Sequence, residues 1–272
     1  MPEPRVQDEE RRISAGWDRS AAAYDDVLEA NRRGAERLVA ALPDPPYRRV
    51  VDAGCGTGFA SLAMVRRAGA RHLVGVDVSA EMVARYRERL GGLEGVAVEA
   101  HVADVLDMPV DPGSADAVVS TMALHWLPDR RGAVRAMGAA LRRDGVLGLL
   151  ASGRGSDHEY RDLIAALSPA VPPELVEAYD RMQVDEVELE AHVRAAGLEP
   201  VDVWTERRSR RLAPERFVAR KRATEAALLP DMPEEDRRRL WERIADAVHG
   251  AAGAEGFAYT FFKAYAVARR PG

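Results

Sequence analysis

Val51-Asp52-Ala53-Gly54-Cys55-Gly56-Thr57-Gly58 separates a short apolar run, Arg49-Val50-Val51-Asp52, from a helical one, Phe59 to Ala68. An apolar run of this length followed by a glycine-rich turn and a helix predicts a strand, a tight loop and a second element packed back onto the strand. The glycines let the backbone turn sharply and approach a ligand without a Cβ in the way. The helix that follows offers unpaired N–H groups to anionic ligand atoms. Taken alone, the loop is equally well read as a tight strand-to-helix connection.

The same alternation continues outward. Upstream, residues 14–42 read as a helix carrying Tyr24, Leu28, Leu38 and Leu42, stopped by Pro43, Pro45 and Pro46. Downstream, His72 to Asp77 reads as a second strand. Ser79 is placed to cap a helix whose stripe is Met82, Val83, Tyr86 and Leu90, ended by Gly91-Gly92. Val96 to Val102 and Ala115 to Ser120 are further strands. Asp129 caps a helix with Val134, Met137 and Leu141, then Asp144-Gly145 reads as a turn and Val146 to Leu150 as a fifth strand. Short buried strands alternating with helices predict a mostly parallel sheet covered on both faces, with ligands outside the carboxyl ends of the strands.

After Ser152 the rhythm changes. Residues 153–184 read as loop and helix, Glu186 to Ala196 as a helix, and Val201 to Thr205 as a strand. A helical stretch follows in which Leu240, Trp241, Ile244 and Val248 share a face. Phe257 to Val267 holds five of the 16 aromatic residues, and that enrichment predicts a closing strand. The whole chain reads as a single domain: 1–46 an N-terminal helical cover, 47–152 the binding core, 153–272 a substrate cover and C-terminal strands.

Composition narrows the function. A net charge of -5 over 272 residues, with 47% hydrophobic and 31% charged residues, describes an ordinary globular protein and argues against a general nucleic-acid binder. Cys55 is the one cysteine, so no intramolecular disulfide forms. Residues 1–12 lack a signal-peptide core and no apolar run approaches the ~20 residues of a membrane span, which leads us to expect a cytoplasmic protein. No two of the six histidines fall at metal-ligand spacing, and no metal site is expected.

Two further acidic motifs matter. Asp77, in Gly75-Val76-Asp77, ends the second strand 23 residues after Gly54, where a carboxylate accepts both hydroxyls of a ribose, or else caps the next helix. Asp104, in Ala103-Asp104-Val105, follows the third strand and can accept from an adenine amine, or stand as a solvated loop residue. Ser120 to Asp129 then leaves the fourth strand with His125 and Trp126 where a cofactor and a substrate should meet, unless both are simply packed there.

As an ordered set these motifs resemble class I S-adenosylmethionine (SAM)-dependent methyltransferases. The resemblance covers residues 14–152 well and the remainder loosely. It implies a Rossmann-like α/β fold: a seven-stranded sheet, mostly parallel, whose last strand is antiparallel, with helices on both faces and helical cover segments. It further implies SAM as cofactor. Gly54 and Gly56 would contact its methionine part, with Asp52 organising the loop and meeting the ammonium. Asp77 would hold the ribose. Val78 and Met82 would line the adenosine pocket, and Asp104 and Val105 would bind adenine. The Thr121 backbone would lie near the methionyl group, Trp126 would be a further cofactor contact, and Tyr24 would close over the cofactor. The His125-Trp126 segment and the aromatic last strand are similar to the trans-aconitate and malonyl-carrier-protein methyltransferase group. Those relatives commonly carry Gln where this chain has His125, so the substrate does not carry over.

The expected activity is methyl transfer to a small-molecule acceptor in specialised metabolism, with no nucleic acid or membrane as partner. An acid or an acyl-carrier-bound acceptor is one alternative, and a SAM binder of this fold repurposed for cyclisation is another. His125 is the candidate base, or else an orienting group. His158 and Tyr160 are candidate substrate contacts. Residues 207–222 hold eight basic residues in 16, among them Arg210 and Arg211. They form either a solvated strand edge and helix face or a site for an anionic acceptor.

Overall fold

In a computed structural model, which describes residue 18 and residues 29–225, 228–229 and 232–272, the chain forms one seven-stranded sheet flanked by helices. The elements around the glycine loop are β1 (Arg49–Ala53), α2 (Phe59–Ala68), β2 (His72–Asp77), α3 (Ala80–Leu90) and β3 (Ala97–Val102). A helix, α1 (Glu29–Ala41), precedes them. The rest of the helix expected over 14–42, Tyr24 included, lies outside the described residues. Next come β4 (Ala115–Thr121), α4 (Arg130–Ala140), β5 (Leu141–Ser152), α5 (His158–Ala166), α6 (Pro173–Arg181) and α7 (Glu186–Ala195). The chain ends with β6 (Glu199–Leu212), α8 (Pro214–Glu225), α9 (Glu234–Ala251) and β7 (Phe257–Arg269).

The strand order is β3-β2-β1-β4-β5-β7-β6. The first five pair in parallel, and β7 pairs antiparallel to β5, with Val146 opposite Arg269 and Ser152 opposite Lys263. The order reverses at β1 and β4, and this switch point is where open α/β sheets bind ligands. Burial follows strand alternation. Val50, Leu73, Ala117, Leu150 and Tyr265 join one core with residues of α1, α2 and α3. Val51, Val74, Val118, Leu149 and Ala266 join the other with α4 and α7.

Local chemistry sets the boundaries. Ser79 accepts from the Met82 N–H at 3.1 Å and Asp129 from the Gly132 N–H at 2.7 Å, so both expected caps form. Two expectations needed correction. Asp144-Gly145 does not end the ladder, because β5 runs through it as a bulge. Asp144 takes φ 60, the register shifts between Ala115 and Ala117, and Asp144 and Gly145 both bond to Arg270 backbone. The strand expected at 201–205 extends to Leu212 and carries Arg207, Arg208, Arg210 and Arg211. Arginines on a strand at the edge of a sheet suit the need to keep that edge from pairing with another chain.

Two compact units are distinguishable. One comprises Glu29–Ser152, Val184–Thr205 and Lys263–Gly272, and so holds α1 together with the binding core; in the other, Gly153–Gln183 and Glu206–Phe262 supply the described core. The second unit has its own apolar centre of Tyr160, Ile164, Phe217, Trp241, Ile244 and Phe257. Inside it Lys221 donates to Asp157 at 2.6 Å and to the Tyr179 hydroxyl at 2.7 Å, while Tyr160 and Tyr179 both donate to Glu225. Two of the eight basic residues of 207–222, Arg220 and Lys221, are therefore structural, both bound to Asp157. Among the described residues no helix is long and apolar enough to cross a membrane.

Candidate functional site

The carboxyl ends of β1, β2 and β3 bring together residues far apart in the chain. Ala53 pairs with Val76, and Asp77 with Val102, which sets the glycine loop beside Asp77 and Asp104 two residues beyond Val102. The N–H groups of Gly54 and Cys55 both donate to the Val76 carbonyl, at 2.8 and 3.0 Å. The Gly56 N–H donates to Asp77 Oδ2 at 2.9 Å, and the Ser79 N–H to Asp77 Oδ1 at 3.0 Å. Asp77 is thus the post on which the loop is hung. Asp104 accepts from the Leu106 N–H at 2.8 Å and caps a short 3-10 turn, Val105–Asp107. Val105 and Met82 are buried beside these carboxylates' strands, and Val78 is half-buried.

Glycine is required in the loop for two different reasons. Gly54 and Gly56 have φ of 70 and 50. At Gly54 a side chain would collide with the Ala123 methyl, which the loop after β4 packs onto it. At Gly56 nothing among the described residues lies within 4 Å of where a Cβ would stand. The first glycine makes room for protein, while the second borders open space.

Asp52 is buried under this loop. Its Oδ2 accepts from the Ser61 N–H at 3.1 Å and the Ser61 hydroxyl at 2.7 Å, and that hydroxyl also meets Tyr86 at 2.7 Å. Its Oδ1 is buried with no hydrogen-bond partner among the described residues. Burial pushes the carboxyl up to about 7 against the opposing Ser61 bonds, and the nearby Asp77 charge pushes it further the same way.

At the end of β4, Thr121 is half-buried and Met122 takes φ 58, its N–H donating to the Leu150 carbonyl at 2.7 Å. A left-handed backbone is costly for methionine, so the turn is held by its surroundings. His125 follows in a second 3-10 turn, 5% exposed, its Nδ1 accepting from the Ser152 N–H at 3.3 Å. Burial, then the Arg130 charge, holds the imidazole down to about 3. It is neutral at physiological pH, with its proton on Nε2. Trp126 is half-buried, its ring 5.8 Å from that of His125.

The remaining candidates belong to the second unit. His158 is half-exposed beside the Gly155 carbonyl at 3.1 Å and Glu159 at 3.4 Å. Tyr160 is fully buried with its hydroxyl committed to Glu225. Arg210 and Arg211 line an open cavity of about 520 Å³ with Glu159, Ser209, Tyr259 and Thr260, and Arg211 pairs with Glu255 at 3.2 Å. Sequence reasoning missed Ser61, Ala123 and the left-handed Met122. A serine or an alanine carries no local mark of such a role.

Residues 50–145 match the model of the methyltransferase domain. Over 164 residues the chain is 31% identical to malonyl-[acyl-carrier protein] O-methyltransferase of Dechloromonas aromatica, covering 60% of this chain and 59% of that protein. Over 189 residues it is 28% identical to trans-aconitate 2-methyltransferase of Variovorax paradoxus, covering 69% and 71%. The matches therefore span only part of the length of these relatives. Among solved structures it is similar to geranyl diphosphate C-methyltransferase of Streptomyces coelicolor in complex with S-adenosyl-L-homocysteine, at TM-score 0.53 and 19% identity over 88% of this chain and 78% of that one. Domain match, strand order and curated relatives agree: over residues 50–145 the chain is similar to methyltransferase domains.

Proposed function

We propose that this chain transfers a methyl group from SAM to a small acidic acceptor. One observation carries the cofactor half of the reading: Asp77, fixed by the Gly56 and Ser79 N–H groups, stands at the carboxyl end of β2 beside a glycine whose Cβ position has no described residue within 4 Å. The residues fit the cofactor in two further respects. The unsatisfied Asp52 Oδ1 is a buried acceptor in want of a donor, and an ammonium is one. Asp104 and Val105 offer an acceptor and an apolar wall next to Asp77 for an adenine.

When bound, SAM supplies an electrophilic methyl group. The chain's own work is to bind, orient and exclude water. Gly54 and Gly56 backbone and Asp52 would take the methionine portion, Asp77 the ribose hydroxyls, and Val78, Met82, Asp104 and Val105 the adenosine. Thr121 and Trp126 would border the methionyl end. His125, neutral and donating through Nε2, suits orientation better than proton abstraction, because a base is most effective with a pKa near the working pH. An acceptor that is already an anion needs no base, and the two relatives are named for malonyl-[acyl-carrier protein] and trans-aconitate.

Calorimetry with S-adenosylhomocysteine (SAH) and with NAD tests the cofactor, and methyl-labelled SAM with trans-aconitate tests the acceptor class. Binding of SAH alone and label transfer to the acid are expected. NAD binding without SAH binding would overturn the reading.

The Asp52 geometry adds a pH dependence. In the free protein this carboxyl keeps its proton up to about pH 7, whereas a ligand ammonium pairs with the carboxylate. SAH binding should therefore release a proton below pH 7, and affinity should fall as pH drops from 8 to 6, approaching about tenfold per unit. Calorimetry in buffers of different ionisation enthalpy reads that proton directly, and an affinity flat over this range would contradict the role of Asp52.

A further inference from the structure

We infer that Tyr86 is a positioning residue for the cofactor. Acting through Ser61, it fixes the Asp52 carboxylate with Oδ2 occupied from within the protein and Oδ1 left for the ligand's ammonium. The inference rests on the methyl-transfer reading above and adds a residue to its cofactor site.

Tyr86 lies in the apolar stripe of α3 and is fully buried. Packing accounts for its ring but not for its hydroxyl. The ring is fitted between glycines of two different elements. A Cβ at Gly75, inside β2, would stand 2.7 Å from it, and one at Gly58, at the end of the loop, 3.1 Å. Glycine weakens a strand interior and marks a close approach there. A phenylalanine would fill the same space. A buried phenolic hydroxyl needs a partner, and among the described residues this one meets Ser61 Oγ at 2.7 Å.

The direction of the chain follows from proton counting. Ser61 has one hydroxyl proton, and it goes to Asp52 Oδ2 at 2.7 Å. Tyr86 must then donate to Ser61. Two hydroxyls in series polarise each other, so the bond that reaches the carboxylate is stronger than Ser61 alone would make it. The Ser61 N–H adds a second bond to the same oxygen at 3.1 Å. Both fall on Oδ2, and Oδ1 has no partner among the described residues.

The surroundings make this donation matter. Asp77 on β2 faces the same carboxyl and repels its charge. Cys55 in the loop is buried, which pushes its thiol up and keeps it neutral, and burial does the same to Tyr86 itself. Arg87, the next residue on α3, is bound to the Ala100 carbonyl. What favours the carboxylate before a ligand arrives is the pair of bonds from Ser61, and Tyr86 strengthens one of them. Without the phenolic hydroxyl, Asp52 should hold its proton to higher pH.

Calorimetry from pH 6 to 8.5 tests this with two probes: SAH, and 5′-methylthioadenosine, a nucleoside thioether that carries no ammonium. Tyr86→Phe should weaken SAH by about threefold or more at pH 6 and by less than about twofold at pH 8.5, because protonation of the carboxyl competes with binding only at the lower pH. Methylthioadenosine should bind variant and wild type within about twofold at every pH, since it makes no demand on this carboxylate. Ser61→Ala removes the direct donor. It should show the same pattern with a wider gap, and it keeps the test decisive if Tyr86→Phe does not fold. The inference is overturned if the SAH profiles of Tyr86→Phe and wild type superimpose or if the gap is the same at both ends of the range. It is also overturned if methylthioadenosine weakens as much as SAH, which is what a merely structural tyrosine would produce. A wild type that fails to bind SAH would instead remove the methyl-transfer reading itself, and this inference with it.

Discussion

Asp77→Ala is expected to weaken SAH binding by roughly 10²- to 10⁴-fold while the sheet still folds. Two hydroxyls of a ribose donating to one carboxylate make two charge-assisted hydrogen bonds, each worth about 1.5–3 kcal/mol, and their loss sums to about 3–6 kcal/mol. The carboxylate also holds the Gly56 N–H at 2.9 Å and the Ser79 N–H at 3.0 Å, so the loop it positions loosens in the same variant. The helix start survives, because Ser79, not Asp77, caps α3 through the Met82 N–H. Asp77→Asn separates the two contributions. An amide oxygen can still accept from backbone, yet the charge is gone, so its defect should fall between wild type and alanine. Calorimetry with SAH, beside a thermal melt, checks both variants. A dissociation constant for Asp77→Ala within fivefold of wild type would show that this carboxylate does not hold the ribose.

The parts of this site that were legible in the sequence are those whose chemistry is local. Glycines with positive φ, a cap two residues after a strand, and an acidic residue ending each of two strands leave marks that survive without coordinates. The alternation of strand and helix told the fold class for the same reason: burial on both faces forces short apolar strands. What was not legible depends on long-range packing. The bulge at Asp144 looks like a turn until Arg270, far along the chain, supplies its partners. His125 looks like a base until burial is known, and only then does its low proton affinity follow. The arginines of 207–222 look like one patch, but a strand and a helix divide them: Arg210 faces a cavity, while Arg220 is bound to Asp157.

Asp52 and His125 share a physical theme. Both are ionisable groups that burial holds near neutrality, one carboxyl up at about 7 and one imidazole down at about 3. A site so arranged carries less fixed charge of its own at the centre, and its formal charges are completed by ligand. The cation that would pair with Asp52 is then supplied from outside, which couples occupancy to electrostatic balance.

The two glycines of the loop should separate folding from binding. Gly54→Ala puts a methyl group into the Ala123 methyl while forcing alanine to φ 70, with its own N–H pinned to the Val76 carbonyl at 2.8 Å. A left-handed alanine costs about 1–2 kcal/mol and overpacking a further ~1–3 kcal/mol. A melting temperature lowered by about 5–15 °C follows for a chain of this size. Gly56→Ala has the same backbone strain at φ 50 but no neighbour among the described residues within 4 Å of the new Cβ. Its melting temperature should fall by no more than about 5 °C. The methyl group instead enters the space before Asp77, and SAH binding should weaken at least tenfold by steric exclusion of the ligand. Thermal melts and SAH calorimetry on the pair give two numbers for each variant. If Gly56→Ala bound SAH as wild type does, the open space before this glycine would not be where the cofactor lies, because a methyl group cannot share that volume with a ligand.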